Sequence, residues 1–271
     1  NHLLPDFHRQ CFFEMNIAVS AARMNAMLTA AVTHHDAGRF TKALPHFKKY
    51  LKRRPDDVAA LNMASFAAFQ ANHSDLALNW LGDAKQADPD DPQTFYNLGL
   101  VSQSAGLLND AVSAFGRAAE LEPSLASTHY NLGSVLNQLG WLDEALAAYD
   151  RALEADPGHG KALASKGFIL RSQGKLGDAI AAYGKAATIL YGDSEVLIGL
   201  GRSLQDNGRL SEAAATFARA TEANPDDAEA ISSLADVLVQ REEPDAAVCD
   251  EYTAGRPTDA HSPSFSSRAL P

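Results

Sequence analysis

The chain has 271 residues, 46% of them hydrophobic, and a net charge of −11, with a pI of about 5.2. That balance excludes general nucleic-acid binding, which needs a basic face to neutralise phosphates. Its two cysteines, Cys11 and Cys249, stand far apart and outside any motif, which excludes a disulfide framework and a zinc pair.

Taken in chain order, residues 1–23 fit no repeat, and Phe12 to Arg23 reads as one capping helix. The stretch from Cys11 to Val32 is fairly apolar, but Glu14 and Arg23 interrupt it. It is neither a bilayer span nor a signal peptide. The expectation is a cytoplasmic chain, or a periplasmic one if a leader precedes Asn1. From residue 24 to 257 the chain is periodic. Proline recurs at Pro55, Pro89, Pro123, Pro157 and Pro225, with Tyr191 in the one missing place. An alanine column keeps the same 34-residue step: Ala43, Ala77, Ala111, Ala145, Ala179, Ala213 and Ala247. So does a turn column: Gly38, Asn72, Gly106, Gly140, Gly174 and Gly208. A period held this long means a stacked array of one small unit, which offers an extended surface rather than a single cleft.

The unit from Ser124 to Pro157 shows what is repeated. Apolar Tyr130, Leu132, Val135, Leu136 and Leu139 follow a helical spacing that starts near Ser127 and ends at Gly140. A second helix starts at Trp141, with Asp143 and Glu144 in its first turn, and stops at Asp156, because the residue before proline is pushed out of the α region. The unit is therefore a helix–turn–helix pair. Gly99, Gly133, Gly167 and Gly201 fall midway along the first helix, where glycine costs about 1 kcal/mol against alanine. A repeated cost implies a repeated benefit. The expected one is close approach of the partner helix at Ala111, Ala145, Ala179 or Ala213, with Phe47, Leu81, Phe115, Tyr149, Tyr183 and Phe217 filling the remaining gaps. Residues 258–271 carry no periodicity, are rich in Pro and Ser, and read as a disordered tail or linker.

Phe95-x-x-Leu98-Gly99, Ala111-x-x-x-Phe115 and Pro123 together resemble the tetratricopeptide repeat, as do Leu132-Gly133, Ala145, Tyr149 and Pro157. The resemblance covers residues 24–257 as six full repeats and a degraded seventh. Ala30-Ala31 and Ala64-Ser65 replace Leu-Gly early in the array, Lys166 stands in the leucine column, and Glu251 takes an aromatic's place in the seventh unit, where it reads as a polar cap. The resemblance implies an all-α fold, a right-handed α-solenoid whose first helices line an inner groove. It also implies protein or peptide binding.

In that reading the columns of the first helices collect Asn62, Tyr96, Asn97, Gln103, Tyr130, Asn131, Asn137, Lys161 and Arg171 on the groove. Amides donate and accept, which suits an extended peptide backbone. Two sub-types of the family can be compared residue by residue. Receptors for the acidic tails of heat-shock chaperones carry a carboxylate clamp. Asn131 and Lys161 match two of its places, while Tyr96, Leu100 and Ser165 occupy the others and break it. Glycosyl transferases that modify serine and threonine carry an asparagine ladder, of which only Asn97 and Asn131 are present.

Two surface features complete the reading. Residues 39–54 hold Arg39, Lys42, Lys48, Lys49, Lys52, Arg53 and Arg54 and no acid, a charge of +7 against −11 for the whole, which leaves −18 elsewhere. Lys48, Lys49, Lys52, Arg53 and Arg54 are either a solvated helix end or an anionic dock for an acidic protein or a membrane surface. Leu107 and Trp141 are apolar neighbours at an otherwise polar turn edge, where they are either partly buried or form a small patch for weak self-association. No catalytic constellation, metal spacing, phosphate loop or cofactor motif stands out, and His34-His35-Asp36 lies at a helix end without ligand spacing. The function expected is a scaffold that binds a peptide or protein segment and is not itself an enzyme. The alternative is the N-terminal recognition arm of a larger bacterial transferase whose catalytic domain lies outside these residues.

Overall fold

Thirteen helices and no strand make up the described residues, 22–242, of this computed structural model. The fold class is all-α, an α-solenoid of helix-turn-helix units, as the sequence predicts. The capping helix expected at 12–23 lies almost wholly outside the described residues. So do the tail at 258–271 and the end of the seventh repeat. The chain divides between Ile169 and Leu170 into two compact units. The first holds α1 (22–36), α2 (Phe40–Leu51), α3 (Val58–Gln70), α4 (Ser74–Ala87), α5 (Pro92–Ser104), α6 (Leu108–Leu121), α7 (Ala126–Gln138), α8 (Leu142–Ala155) and most of α9 (Gly160–Ser172). The second holds the end of α9, then α10 (Leu176–Ile189), α11 (Ser194–Asp206), α12 (Leu210–Ala223) and α13 (Ala228–Glu242).

Within each unit a first helix packs on its own second helix and on the second helix of the preceding hairpin. The turn column explains the hairpins. Gly38, Asn72, Gly106, Gly140, Gly174 and Gly208 all have φ between 61° and 78°, the left-handed region that favours glycine and admits asparagine. Around Gly140 the Gly140 N–H donates to the Asn137 carbonyl (3.0 Å) and the Trp141 N–H to that of Leu136 (2.9 Å), a Schellman closure. Where the proline is missing, Gly192 takes φ 78° instead, so a glycine turn closes the repeat behind an exposed Tyr191.

The core is a row of alanines and aromatics. Ala43, Ala77, Ala111, Ala145, Ala179 and Ala213 have no exposed surface, and Phe47, Leu81, Phe115 and Phe217 are fully enclosed. At Gly99, Gly133 and Gly201 the nearest atoms belong to aromatic rings rather than to the alanine column. A Cβ at Gly99 would stand 2.6 Å from the Phe115 ring, at Gly133 2.7 Å from Tyr149, and at Gly201 2.6 Å from Phe217. The expected benefit of the glycines is real, but it comes from a flat ring lying on bare backbone.

Burial in this slot pushes the Tyr149 phenol up to about 12, with the hydrogen bond to Ser165 pulling the other way. The folded value lies above the ordinary 10, so the neutral phenol's contribution is complete below pH 10 and is lost as pH rises through 12. The shift corresponds to roughly 3 kcal/mol at most. Urea melts across that window should show wild type losing stability steeply, and Tyr149→Phe should flatten that loss while changing stability at pH 7 by no more than about 1 kcal/mol. Parallel curves for the two proteins would disprove the assignment.

Candidate functional site

The first helices of neighbouring repeats are tied to one another by side-chain bonds between residues 35 apart. In the first unit the Asn97 Nδ2 donates to Asn62 Oδ1 (3.1 Å), and the Asn131 Nδ2 donates to the Tyr96 hydroxyl (3.1 Å). In the second unit Arg171 Nε donates to Asp206 Oδ2 (2.7 Å) and Gln205 Nε2 to Gln240 Oε1 (2.9 Å). These rungs place the columns read from the sequence on one face within each unit.

The rungs are not equivalent. Asn62 and Asn97 are only 7% and 6% exposed. The Asn62 amide donates to Asp91 Oδ2 (2.8 Å) and Thr94 Oγ1 (3.0 Å), and Asn97 Oδ1 accepts from Gln93 Nε2 (3.0 Å). Asp91 in turn caps α5, accepting from the Thr94 N–H (2.8 Å) and the Thr94 hydroxyl (2.6 Å). This is an inward-facing polar network with its hydrogen bonds made, so Asn62 and Asn97 present little to a ligand. One repeat on, Leu125 and Tyr96 stand where Asp91 and Asn62 stood, and Thr128 Oγ1 is buried without a partner.

That substitution frees the next rung. Tyr96 and Asn131 are half-buried, and their polar ends meet at the surface instead of below it. Tyr96 is braced edge-on against Phe115 (centroids 5.8 Å) and Tyr130 lies tilted against Tyr149 (6.0 Å), so both rings are held by the core aromatic of their own repeat. Tyr130 also stacks on His159 (4.9 Å). Gln103 and Asn137 are half-buried two turns further along α5 and α7, and Lys161 is exposed on α9. Arg171 belongs to the second unit, where its side chain is 30% exposed and paired with Asp206. The structure thus joins Tyr96 and Asn131, holds Asn62 and Asn97 in the interior of the first unit, and places Arg171 in the other unit.

The expected anionic dock is exposed throughout: Lys48, Lys49, Lys52, Arg53 and Arg54 all reach solvent, with Asp56 3.7 Å from Arg54. Leu107 and Trp141 are each 47% exposed and follow the turn glycine of a Schellman closure. The capping column escaped the sequence reading, although its period is visible there. Asp57, Asp91, Asp193 and Asp227 each accept from a backbone N–H three residues on, and His159 Nδ1 does the same for Ala162. Leu125 breaks that column, and Arg23 stands at its start. In the second unit the Asp227 carboxyl is held below the usual carboxylate range by the Ser194 hydroxyl first, then by the Ala230 N–H.

Among curated proteins none matches the chain. Solved structures do. The crystal structure of YrrB, titled a TPR protein with an unusual peptide-binding site, is 20% identical with a TM-score of 0.60, and the match covers 69% of this chain and 96% of that one. PilF of Pseudomonas aeruginosa is 16% identical with a TM-score of 0.69, covering 79% of this chain and 97% of that one. MamA is 25% identical with a TM-score of 0.56, covering 59% and 93%. Family models described as tetratricopeptide repeat match residues 34–96, 96–160, 142–195 and 198–263. Those matches run through most of the chain, over the same hairpins whose turns, alanines and ring-on-glycine contacts repeat in the fold, and the chain belongs to the tetratricopeptide repeat family.

Proposed function

We propose that this protein is an interaction scaffold that binds an extended peptide or protein segment along the first-helix face of its first unit. Membership of the family supports a scaffold in general. The finer reading rests on one observation: the half-buried Tyr96–Asn131 rung, flanked by Tyr130, Gln103 and Asn137. Braced tyrosines offer apolar area at small entropic loss, and amides that donate and accept suit a backbone without side-chain demands. Lys161, exposed on the next first helix, adds a cation to the same ligand's path.

The test uses the full chain as bait in a cell extract, with captured proteins identified by mass spectrometry. Tyr96→Ala with Asn131→Ala should weaken the tightest captured partner by about tenfold or more, since central aromatic anchors carry upward of ~1–2 kcal/mol each. The circular dichroism spectrum should be unchanged. Asn97→Ala is the contrast, because it should reduce stability before it touches affinity. Full retention of every partner by the folded double variant would remove this face from consideration.

A further inference from the structure

The first described hairpin has no described hairpin before it, so a face that the second hairpin buries is open among the described residues. In the second hairpin Ala60, Leu61, Ala64 and Trp80 are buried. Their counterparts one repeat earlier are Ala26, Met27, Ala30 and His46, and these line a hollow of about 490 Å3 together with Arg23, Lys49 and Arg53. That volume lies in the ~300–1,000 Å3 range of ligand clefts. Its lining combines Ala26, Met27 and Ala30 with the cations, and no carboxylate is among the described lining residues. The cations are local to this hairpin. Arg53 stands where later repeats have Ala87, Leu121, Ala155, Ile189 and Ala223, and Arg23 where most of them have the capping aspartate.

Some cations elsewhere in the array are paired: Arg117 with Asp90 and Glu120, Lys166 with Asp150, Arg202 with Glu229. Among the described residues Arg23, Lys49 and Arg53 have no carboxylate within ion-pair reach. The Arg53 guanidinium instead lies 3.4 Å from the Met27 sulfur, a weak acceptor. His46 and Lys49 share one face of α2 and Arg53 follows in the turn beyond it, while Lys48 and Lys52 lie outside the lining. The sequence cluster of five cations is therefore two groups: one that walls a recess with Arg23 and His46, and one that points elsewhere.

We propose that this recess binds an acidic peptide segment. A Glu or Asp side chain enters between Lys49, Arg53 and Arg23, where a guanidinium can hold a carboxylate through two parallel hydrogen bonds. An adjacent apolar side chain rests on Ala26, Met27 and Ala30. A recess accepts a projecting side chain, whereas a membrane surface needs cations that project outward, which favours the peptide. The site is independent of the Tyr96–Asn131 face, so either can fail without the other.

The experiment measures fluorescence anisotropy of a labelled decapeptide of glutamates interspersed with leucine, titrated with the full chain at low ionic strength. Wild type should bind, and affinity should fall as salt shortens the screening length from ~30 Å at 0.01 M to ~8 Å at 0.15 M. Lys49→Glu with Arg53→Glu should weaken binding at least tenfold, while Lys48→Glu with Lys52→Glu, the same change of charge outside the recess, should weaken it less than threefold. Arg53→Gln, the milder variant, should weaken it severalfold with an unchanged melting temperature. No binding by wild type, equal loss from the two charge-reversed pairs, or an unaffected Arg53→Gln would each overturn the proposal. Binding to phosphatidylserine vesicles but not to the peptide would overturn it in favour of a membrane surface.

Discussion

Gly133→Leu should destabilise the first unit by upward of about 3 kcal/mol. A Cβ alone would stand 2.7 Å from the Tyr149 ring, closer than non-bonded carbons come, and leucine adds three further carbons. The ring cannot give way, because Tyr149 is 1% exposed in a packed core. Overpacking of this kind costs about 1–3 kcal/mol for small insertions. The ~1 kcal/mol gained by replacing a helical glycine offsets only part of it. Gly133→Ala is the graded version and should cost less than the leucine. Tyr149→Ala should cost about 3–5 kcal/mol through the cavity it leaves. Combined with Gly133→Leu it should cost clearly less than the two losses added, because the leucine fills what the ring vacates and touching residues are not additive. Urea melts of the four proteins test this; strict additivity would mean the ring and the glycine are not partners. Gly140→Ala sets the scale: nothing lies within 4 Å of its Cβ position, so only its φ of 78° is strained, at about 1–2 kcal/mol.

Asp91→Ala should be the second large loss, about 2–4 kcal/mol. The carboxylate accepts from the Thr94 N–H, the Thr94 hydroxyl and the Asn62 amide. Loss of an N-cap costs about 0.5–2 kcal/mol, and each buried polar group left short of a partner adds to it. The network also predicts a gain. Leu125 occupies the same place one repeat later, gives α7 no side-chain cap, and leaves Thr128 Oγ1 buried and unpartnered. Leu125→Asp should stabilise by up to about 1 kcal/mol, by supplying both the cap and the missing acceptor. Thermal melts decide it. Asp91→Ala within 0.5 kcal/mol of wild type would show that the network contributes little.

Much of this fold was legible because each repeat states it again. The turn column, the alanine column and the stop before proline each correspond to one local cause, a backbone angle, a close contact or a forbidden conformation, and each recurs at one spacing. The glycine column was read correctly as a close approach but assigned to the wrong partner. Spacing along one helix does not say whether Ala145 or Tyr149 of the next helix faces Gly133. The candidate site was less legible. Columns advance by the repeat length, so Asn62, Tyr96 and Tyr130 appear equivalent, as do Asn97 and Asn131. Burial depends on the combination at each rung: Asn62 with Asp91 and Thr94 draws Asn97 inward, while Tyr96 with Leu125 leaves Asn131 at the surface. The basic cluster shows the same limit, since its split depends on Arg23 and the small residues of α1, which are remote from it in sequence.

The rungs between first helices also bear on how such a chain changes length. Each joins a residue to one 35 positions further on, one more than the repeat, so it needs only its immediate neighbour to be in register. Duplicating or deleting a whole repeat keeps that spacing, although the residues that meet at a rung change with it. Removing a single residue from within a first helix turns the residues after it by about 100°, since 3.6 residues make a turn, and carries that helix's side chain off its rung. Changes of length by whole hairpins are thus the ones these side-chain bonds tolerate best.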